Sequence, residues 1–424
     1  MKRLLMCVGV VMASVSPALG QTSQTADLEA RVRALEGQVR ALQTQVSALL
    51  AAQPRPIASD PRSQAGPPVA LEPATPVVVA APQPVSGVPQ SGAKMFNPDI
   101  GVIGNLVGAG GDSKGGSDTL APLPLVTLQE SEASFQAIID PFARADFFLA
   151  IGEEGIEVEE GFISFTTLPG GLLLKAGKMR ANFGRLNAFH NHTLPWIDRP
   201  LVMFNLLGGD ATDPDTGIKD AGLSVSRLIP AGKLFVEATG EVYRGDSGTV
   251  FKSSRRADFS TVAHVRAYTD LTDDANIEVG GSYSRGHNEL GSTFVTQLYG
   301  TDITFRWRPL RRAIYRSLAA RAELIWSRRE DLAVTQEAFG LYASLDYQLA
   351  RRWVVGGRFD QSDRAQNALI HDRGFSGVLT FRPSEFSQIR SQYRRTRFGD
   401  GRRIANELLF QVLFTIGAHG AHVF

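Results

Sequence analysis

The sequence has a single cysteine in 424 residues, and Cys7 lies in a segment with the form of a cleavable leader. Two basic residues precede an apolar run over 4–15, and the small residues over 18–20 provide a cleavage site. Residues 1–20 are therefore predicted to be a signal peptide. Without Cys7, the mature chain has no disulfide, thiolate metal site or thiol nucleophile.

Long hydrophobic runs are also missing. No other segment contains about 18 consecutive apolar residues, so a transmembrane helix is not expected. The chain has no motif that unites a nucleophile, a base and an orienting group, although an inward-facing His264 offers a base. The glycine-rich run over 108–116 precedes no helix and is predicted to be a loop rather than a phosphate cradle. We expect no enzyme activity and no cofactor.

A strong net charge is absent too, since the chain has 44 basic and 43 acidic residues. No nucleic-acid partner is therefore predicted. The charge is unevenly distributed along the chain. Residues 95–300 contain 16 basic and 26 acidic side chains, whereas residues 301–424 contain 20 arginines, no lysine and 12 acidic side chains. Such segregation predicts a field inside the folded molecule.

The segment after the leader has the heptad pattern of a coiled coil. Over 21–52, apolar residues alternate at spacings of four and three: Leu28, Val32, Leu35, Val39, Leu42, Val46 and Leu49. A helix of this length is marginal alone, so an oligomer is predicted, with a single amphipathic helix as the alternative. Residues 53–94 follow as a proline-rich, extended linker.

From residue 95 onward, apolar and polar residues alternate in strand-length segments. Examples are Phe339 to Leu349 and Glu407 to Ala418, and a terminal aromatic, Phe424, closes the chain. Roughly 20 residues per strand and connection predict sixteen strands, and alternation with turns is typical of outer-membrane barrels. The predicted fold is all-β: a 16-stranded antiparallel transmembrane β-barrel over 95–424, preceded by the short α-helical coiled coil.

Two details of the barrel follow from the same pattern. Short connections, at 140–141, 168–171, 230–232, 271–274 and 382–384, are predicted to be periplasmic turns. A soluble β-sandwich is the alternative, but it would need the polar faces to meet in a core.

Val at a and Leu at d of the coiled coil favour a dimer of helices. Porin barrels usually form trimers, so a trimer is predicted against that preference.

The longest predicted loop, 184–216, is the third extracellular connection and is acidic. The sequence does not show whether it folds into the lumen; if it lies across from an arginine-lined wall there, the two signs would create a transverse field. The alternative is that the arginines pair with the lumen acids Glu323, Asp346, Asp360 and Glu407. The candidate selectivity residues are Asp198, Asp210, Asp213 and Asp215 on the loop and Arg306, Arg308, Arg321, Arg358, Arg390 and Arg394 on the wall.

Two histidine pairs have spacings that suit a shared zinc ion: His190 with His192, and His419 with His422. The first pair is the candidate metal site, and loop packing is its alternative. The second pair is more simply explained as part of the barrel end. The spacing of the loop aspartates resembles a calcium loop but lacks the later glutamate that such a loop requires.

Several motifs resemble the phosphate-selective porin superfamily (porin O/P type). They are Gly171-Leu-Leu-Leu-Lys-Ala-Gly-Lys-Met-Arg-Ala-Asn-Phe-Gly184, Asp198-Arg-Pro-Leu201 and Gly222-Leu-Ser-Val-Ser226. The strand Glu157-Val-Glu-Glu160, the His190-x-His192 loop and the ending over 417–424 are similar to a branch labelled zinc-regulated, TonB-dependent outer-membrane receptor. The resemblance covers most of 97–424 and implies a 16-stranded channel and an oligomer. Phosphate-specific members line the pore with lysines as well as arginines, whereas this sequence has no lysine after Lys252.

These features together predict an outer-membrane porin that passes small hydrophilic solutes by diffusion, with a preference for anions left open. One alternative is an uptake receptor for a metal or chelate, although the segments before the barrel leave no plug domain. Another is an envelope tether that contacts peptidoglycan. The predicted partners are outer-membrane lipid, small solutes and further copies of the chain, with the N-terminal region in the periplasm.

Overall fold

The computed structural model describes residues 98–112, 123–153, 155–209, 216–399 and 403–417. The predicted leader, coiled coil and linker lie outside these residues. The strands are β1 (Asp99–Gly111), β2 (Thr127–Leu128), β3 (Ser131–Asp140), β4 (Ala143–Gly152), β5 (Gly155–Leu168), β6 (Leu172–Arg180), β7 (Lys219–Ala231), β8 (Leu234–Tyr243), β9 (Ser260–Thr272), β10 (Ala275–Asn288), β11 (Gly291–Trp307), β12 (Leu318–Arg329), β13 (Gln336–Ala350), β14 (Trp353–Arg364), β15 (Asn367–Ser384), β16 (Ser387–Phe398) and β17 (Arg403–Gly417). The helices are α1 (Leu201–Leu206) and two 3₁₀ turns, Pro169–Gly171 and Asn191–Thr193.

The strands form one closed antiparallel barrel. From β3 to β17 each strand pairs with the next in the chain, and β1 pairs with both β3 and β17. The closing register runs from Gly101 opposite Gly417 to Gly111 opposite Glu407. The two-residue β2 lies against β1 near Leu106 and is not a full strand of the wall. The predicted 16-stranded antiparallel barrel is therefore confirmed.

The two faces of the wall differ as the alternation predicts. On the outer face of β17, Leu408, Phe410, Val412 and Phe414 are exposed, and comparable apolar side chains cover the outer faces of β7 to β16. The inner face of the same strand carries Glu407 and Gln411, both buried. An apolar exterior with a polar interior suits a barrel that spans a membrane with its strands. Among the described residues, no helix is long and apolar enough to cross a membrane.

Connections at the two ends of the barrel differ in length. All five predicted short turns fall at the same end, together with 351–352, and the longer connection 308–317 is found there as well. The connections at the opposite end include 112–130, 181–218 and 244–259, and 181–218 is the third of them in chain order. The predicted glycine loop was partly wrong, because Gly108 to Gly111 continue β1.

Aromatic side chains on the outer face lie in cross-strand pairs. Tyr283 and Tyr299 have ring centroids 5.2 Å apart, and so do Trp326 and Phe339. Near the short-turn end, Trp353 and Phe381 lie 4.5 Å apart. Aromatic pairs near both ends of an apolar band are typical of barrels that meet two membrane interfaces.

Gly177 on β6 is a position that only glycine suits. Its φ of +145° lies outside the range that L side chains favour, and an added Cβ would lie 2.2 Å from the carbonyl oxygen of Gly161. We expect Gly177→Ala to destabilise the barrel by about 1–3 kcal/mol through strain. Urea unfolding in detergent micelles should show a lower midpoint.

Gly240→Ala on β8 is the matched control, because a Cβ there meets no atom within 4 Å. Its unfolding midpoint should stay close to that of the native chain. Equal midpoints for Gly177→Ala and Gly240→Ala would contradict the strain argument.

Candidate functional site

The connection between β6 and β7, residues 181–218, is called the lumen loop here; residues 181–209 and 216–218 of it are described. Its two ends are held together by Asn187, whose side-chain amide donates to the carbonyl oxygens of Ala181 (2.8 Å) and Ile218 (2.9 Å). The Asn187 Oδ1 accepts a hydrogen bond from the Ile218 N–H at 2.7 Å. The neck of the loop is therefore closed, so the intervening segment leaves and returns at one point of the wall.

From this neck the lumen loop crosses to the opposite wall. The Ile197 N–H donates to Gln392 on β16 at 2.8 Å, and the Asn205 amide donates to Asp372 on β15 at 3.0 Å. Nearer its start, the Gly184 N–H donates to Ser282 on β10 at 2.8 Å. These contacts with β10, β15 and β16 show that the loop lies inside the barrel, a point that the sequence had left open.

Apolar packing also holds the lumen loop inside. Trp196 is fully buried and makes an edge-on contact with Tyr342 of β13, with ring centroids 5.4 Å apart. Met203 and Leu206 belong to the same buried cluster as Ile325 of β12. The alternation pattern missed this cluster, because it assigned a polar character to the whole inner face.

Asp198 forms the central ionic contact of the loop with the wall. Its carboxylate lies 3.1 Å from the Arg358 guanidinium and 2.7 Å from the Arg394 guanidinium, and it accepts a hydrogen bond from Gln392 at 2.6 Å. Burial raises the pKa of Asp198, but the two arginines outweigh burial and hold the pKa below its ordinary value. The predicted arrangement was wrong for Asp198, which touches the arginines instead of facing them across an opening.

Most of the predicted wall arginines pair with wall acids, the alternative that the sequence left open. The closest N–O distances are 2.8 Å for Arg358 with Asp360, 2.6 Å for Arg394 with Glu407, 2.5 Å for Arg321 with Asp346 and 3.3 Å for Arg306 with Glu278. Glu323 differs, because it accepts the Leu186 N–H of the loop at 3.4 Å. The inner wall is therefore a network of ion pairs more than a row of free cations.

The remaining predicted selectivity residues are placed differently. Arg390 hydrogen-bonds neutral groups in the described part of the chain: Thr380, Gln411 and the carbonyl oxygen of Trp196. Arg308 was predicted to lie on a strand, but β11 ends at Trp307 and Arg308 is exposed in the connection that follows. Asp210, Asp213, Asp215, His419 and His422 lie outside the described residues.

Toward the short-turn end, half-buried charges line the inner wall. Glu278 on β10 accepts contacts from three arginines: Arg185 of the loop, Arg306 at 3.3 Å and Arg266 at 3.7 Å. Arg266 also pairs with Glu237 at 2.5 Å. Three guanidinium groups therefore meet Glu278 and Glu237, and Asp302 lies near enough to interact with Arg185 and Arg266.

On the side where β3 and β5 meet the loop, acidic side chains gather around the two loop histidines. His190 Nε2 lies 2.9 Å from Glu160, and His190 Nδ1 lies 2.7 Å from Glu132 and 3.1 Å from Glu159. His192 Nδ1 lies 3.5 Å from Glu132. We call these five residues and Glu130 the glutamate–histidine cluster; sequence spacing had singled out only its two histidines.

Two arginines and one asparagine border the glutamate–histidine cluster. Arg180 contacts Glu159 at 2.9 Å, and the Asn191 amide donates to Glu130 while its oxygen accepts from Arg199. Burial and the neighbouring Glu159 raise the pKa of Glu130 to about 8. Burial lowers the pKa of His190, but the nearby glutamates outweigh it and hold the pKa well above its ordinary value.

The structure also brings together a histidine and a serine that sequence reasoning left apart. His264 Nδ1 lies 2.7 Å from the Ser282 hydroxyl, and both residues are buried. Ser282 accepts the Gly184 N–H, so the lumen loop covers it. Among the described residues, His264 hydrogen-bonds no carboxylate that would orient it, and the expectation of no enzyme activity stays a prediction.

Comparison with known proteins shows a fold but no family. No protein-family model matches the chain. An uncharacterized protein of Aquifex aeolicus is 28% identical over 340 residues, which cover 70% of each chain. The resemblance to phosphate-selective porins therefore stays a prediction.

Similar solved structures are outer-membrane proteins. An anion-selective porin from Comamonas acidovorans has a TM-score of 0.51 and 8% identity, with coverage of 76% of this chain and 99% of the porin. The outer-membrane channel DcaP of Acinetobacter baumannii has a TM-score of 0.51 and 11% identity, with coverage of 77% and 99%. OmpT of Vibrio cholerae, in a trimer form, has a TM-score of 0.50 and 10% identity, with coverage of 76% and 100%. At such identities, the likeness is one of fold.

Replacing Asp198 tests how firmly the lumen loop is held. Asp198→Asn keeps the shape of the side chain but removes a charge that contacts Arg358 and Arg394. Loss of a buried charge-assisted contact should weaken loop docking by about 1.5–3 kcal/mol. We expect faster proteolytic cleavage within 181–218, measured by mass spectrometry on the folded barrel in detergent.

Asp246→Asn is the matched control, since Asp246 forms a largely exposed pair with Lys252. Exposed pairs contribute little, so the loop should be cleaved at the native rate. If Asp198→Asn were also cleaved at the native rate, Asp198 would not hold the loop.

Proposed function

We propose that this chain is an outer-membrane porin that passes small hydrophilic solutes by diffusion. The observation that carries the proposal is the closed 16-stranded barrel with an apolar exterior and charged side chains facing its lumen. Barrels of this width hold an aqueous channel when they are not plugged. The outer-membrane channels of the same fold support the location as well as the function.

The lumen loop sets the narrowest part of the proposed passage. It buries inward-facing side chains on several strands, among them Leu298, Ile325 and Tyr342. Charged side chains that stay accessible lie on the inner wall toward the short-turn end: Glu237 and Arg266 (both 22% exposed), Arg306 (18%) and Arg321 (16%). We infer that solutes pass along these residues, beside the loop.

We infer that the arginines toward the short-turn end, among them Arg306, Arg308 and Arg382, favour anions over cations. A positive potential in a narrow, low-dielectric passage raises the local concentration of anions and lowers that of cations. The proposed preference is for anions in general and not for phosphate in particular.

The proposed assembly is a trimer held by the coiled coil over 21–52 and by barrel contacts in the membrane. The heptad pattern supports the association, and the trimer form of the Vibrio cholerae protein supports the number of copies. The segment before the barrel would then lie in the periplasm.

Single-channel recording in planar bilayers tests the function. The purified full-length protein should produce stepwise openings, and the reversal potential under a KCl gradient should indicate chloride over potassium. Arg306→Gln should lower the ratio of chloride to potassium permeability about two- to fivefold, since a potential change of roughly 1 kcal/mol at one charge alters partition by that factor. Glu278 keeps Arg185 and Arg266 in this variant.

Arg328→Gln serves as the control, because Arg328 is 58% exposed and lies 4.0 Å from Glu337, outside the lumen. It should leave the reversal potential unchanged. A heat-modifiable, folded barrel that never conducts would overturn the porin proposal. Conducting channels whose reversal potential does not respond to Arg306→Gln would overturn only the role of the arginines.

A further inference from the structure

The glutamate–histidine cluster gathers several acidic side chains in a buried space. Four acidic side chains, those of Glu130, Glu132, Glu159 and Glu160, gather beside His190 and the guanidinium groups of Arg180 and Arg199. Glu132 and Glu159 are 2% and 1% exposed, so water screens their charge poorly. Buried carboxylates of this kind are stable when they pair with cations or bind metal ions.

Several polar atoms of the cluster lack hydrogen bonds, although they point at one another. In the described part of the chain, Glu132 Oε2, Glu159 Oε2 and His190 Nδ1 are buried and form no hydrogen bond. The 2.7 Å contact between Glu132 and His190 therefore lies off the direction of an N–H bond. Buried polar atoms rarely lack a partner, so these three atoms are candidate ligands for a cation.

The partner of the other ring nitrogen determines which atom of His190 is available as a ligand. His190 Nε2 hydrogen-bonds Glu160 at 2.9 Å, and the other oxygen of Glu160 accepts the Arg180 N–H at 2.6 Å. A metal ion would take His190 in its neutral form, with the proton on Nε2 and with Nδ1 as the ligand atom. Histidine ligands of metal ions commonly have such a carboxylate on the second nitrogen.

We propose that the cluster binds a divalent transition-metal ion through His190, His192 and Glu132. One ligand atom from each of these residues lies within 4.8 Å of the others. Two imidazoles and a carboxylate form a ligand set that Zn²⁺ accepts, at bond lengths of about 2.0–2.2 Å. Glu159 Oε2 is the nearest further ligand atom, 3.1 Å from His190 Nδ1.

The bound ion would join the lumen loop to the wall. His190 and His192 belong to the loop, whereas Glu132 lies on β3 and Glu159 on β5. The site uses other strands than Asp198, which contacts Arg358 on β14 and Arg394 on β16. Metal binding would therefore hold the loop against β3 and β5, independently of what passes through the barrel.

Isothermal titration of the full-length barrel in detergent with Zn²⁺, after chelator treatment, tests the site. The native chain should bind one equivalent whose affinity falls at least tenfold in Glu132→Gln and in His192→Gln. Glu160→Gln should weaken binding about 10- to 100-fold through the orientation of His190. Metal analysis of the protein purified from membranes provides a second readout that needs no channel activity.

Glu237→Gln and His371→Gln are the matched controls, since Glu237 pairs with Arg266 and His371 with Asp363, away from the cluster. Both should bind Zn²⁺ like the native chain. Zinc held by other histidines would survive Glu132→Gln, and that result would overturn the proposal. A native chain that binds no Zn²⁺ would mean that a protonated His190 alone balances the carboxylates, which overturns it as well.

Every variant is first checked for folding by heat-modifiable migration. If His192→Gln does not fold, Glu132→Gln and Glu160→Gln still decide the question, because each replaces a carboxylate with an amide of the same shape. Conductance plays no part in these measurements, so a barrel that binds metal but does not conduct would contradict the porin proposal alone.

Discussion

The structure depends on the closure of its backbone hydrogen bonds into a ring. A strand that faces lipid finds no water, so each N–H and C=O must pair with a neighbouring strand. The pairing of β1 with β17 removes the two edges that an open sheet would expose. Because closure satisfies the backbone completely around the wall, the outer face is free to be apolar and the inner face is free to carry charge.

Inside that ring, different chemistry holds the lumen loop to two groups of strands. On one side, Asp198 lies between two arginines of β14 and β16; on the other, loop histidines meet glutamates of β3 and β5. Between them, Trp196 and its apolar neighbours pack against the wall. The loop therefore behaves as a buried core element, although its sequence has the composition of a connection.

The segregation of charge along the chain has a spatial meaning in the barrel. Because the strands follow one another around the wall, the acidic first part of the barrel sequence and the arginine-rich last part form different sectors. The glutamates of β3 and β5 and the arginines of β14 to β16 are the examples. The lumen loop begins at the acidic sector and reaches the basic one, and it places Asp198 in direct contact with two arginines.

Local sequence patterns determined the strands, the short turns and the third long connection, because side-chain alternation and turn residues act over a few positions. The pattern also provided, as one of two alternatives, that Asp346, Asp360 and Glu407 pair with the arginines inside. Tertiary structure decided the rest: which groups pair across the lumen, that Leu298, Ile325 and Tyr342 face a buried loop, and that Glu132, Glu159 and Glu160 surround His190. The physical reason is that these contacts join residues far apart in the chain, and their distances depend on barrel closure, which no local pattern encodes.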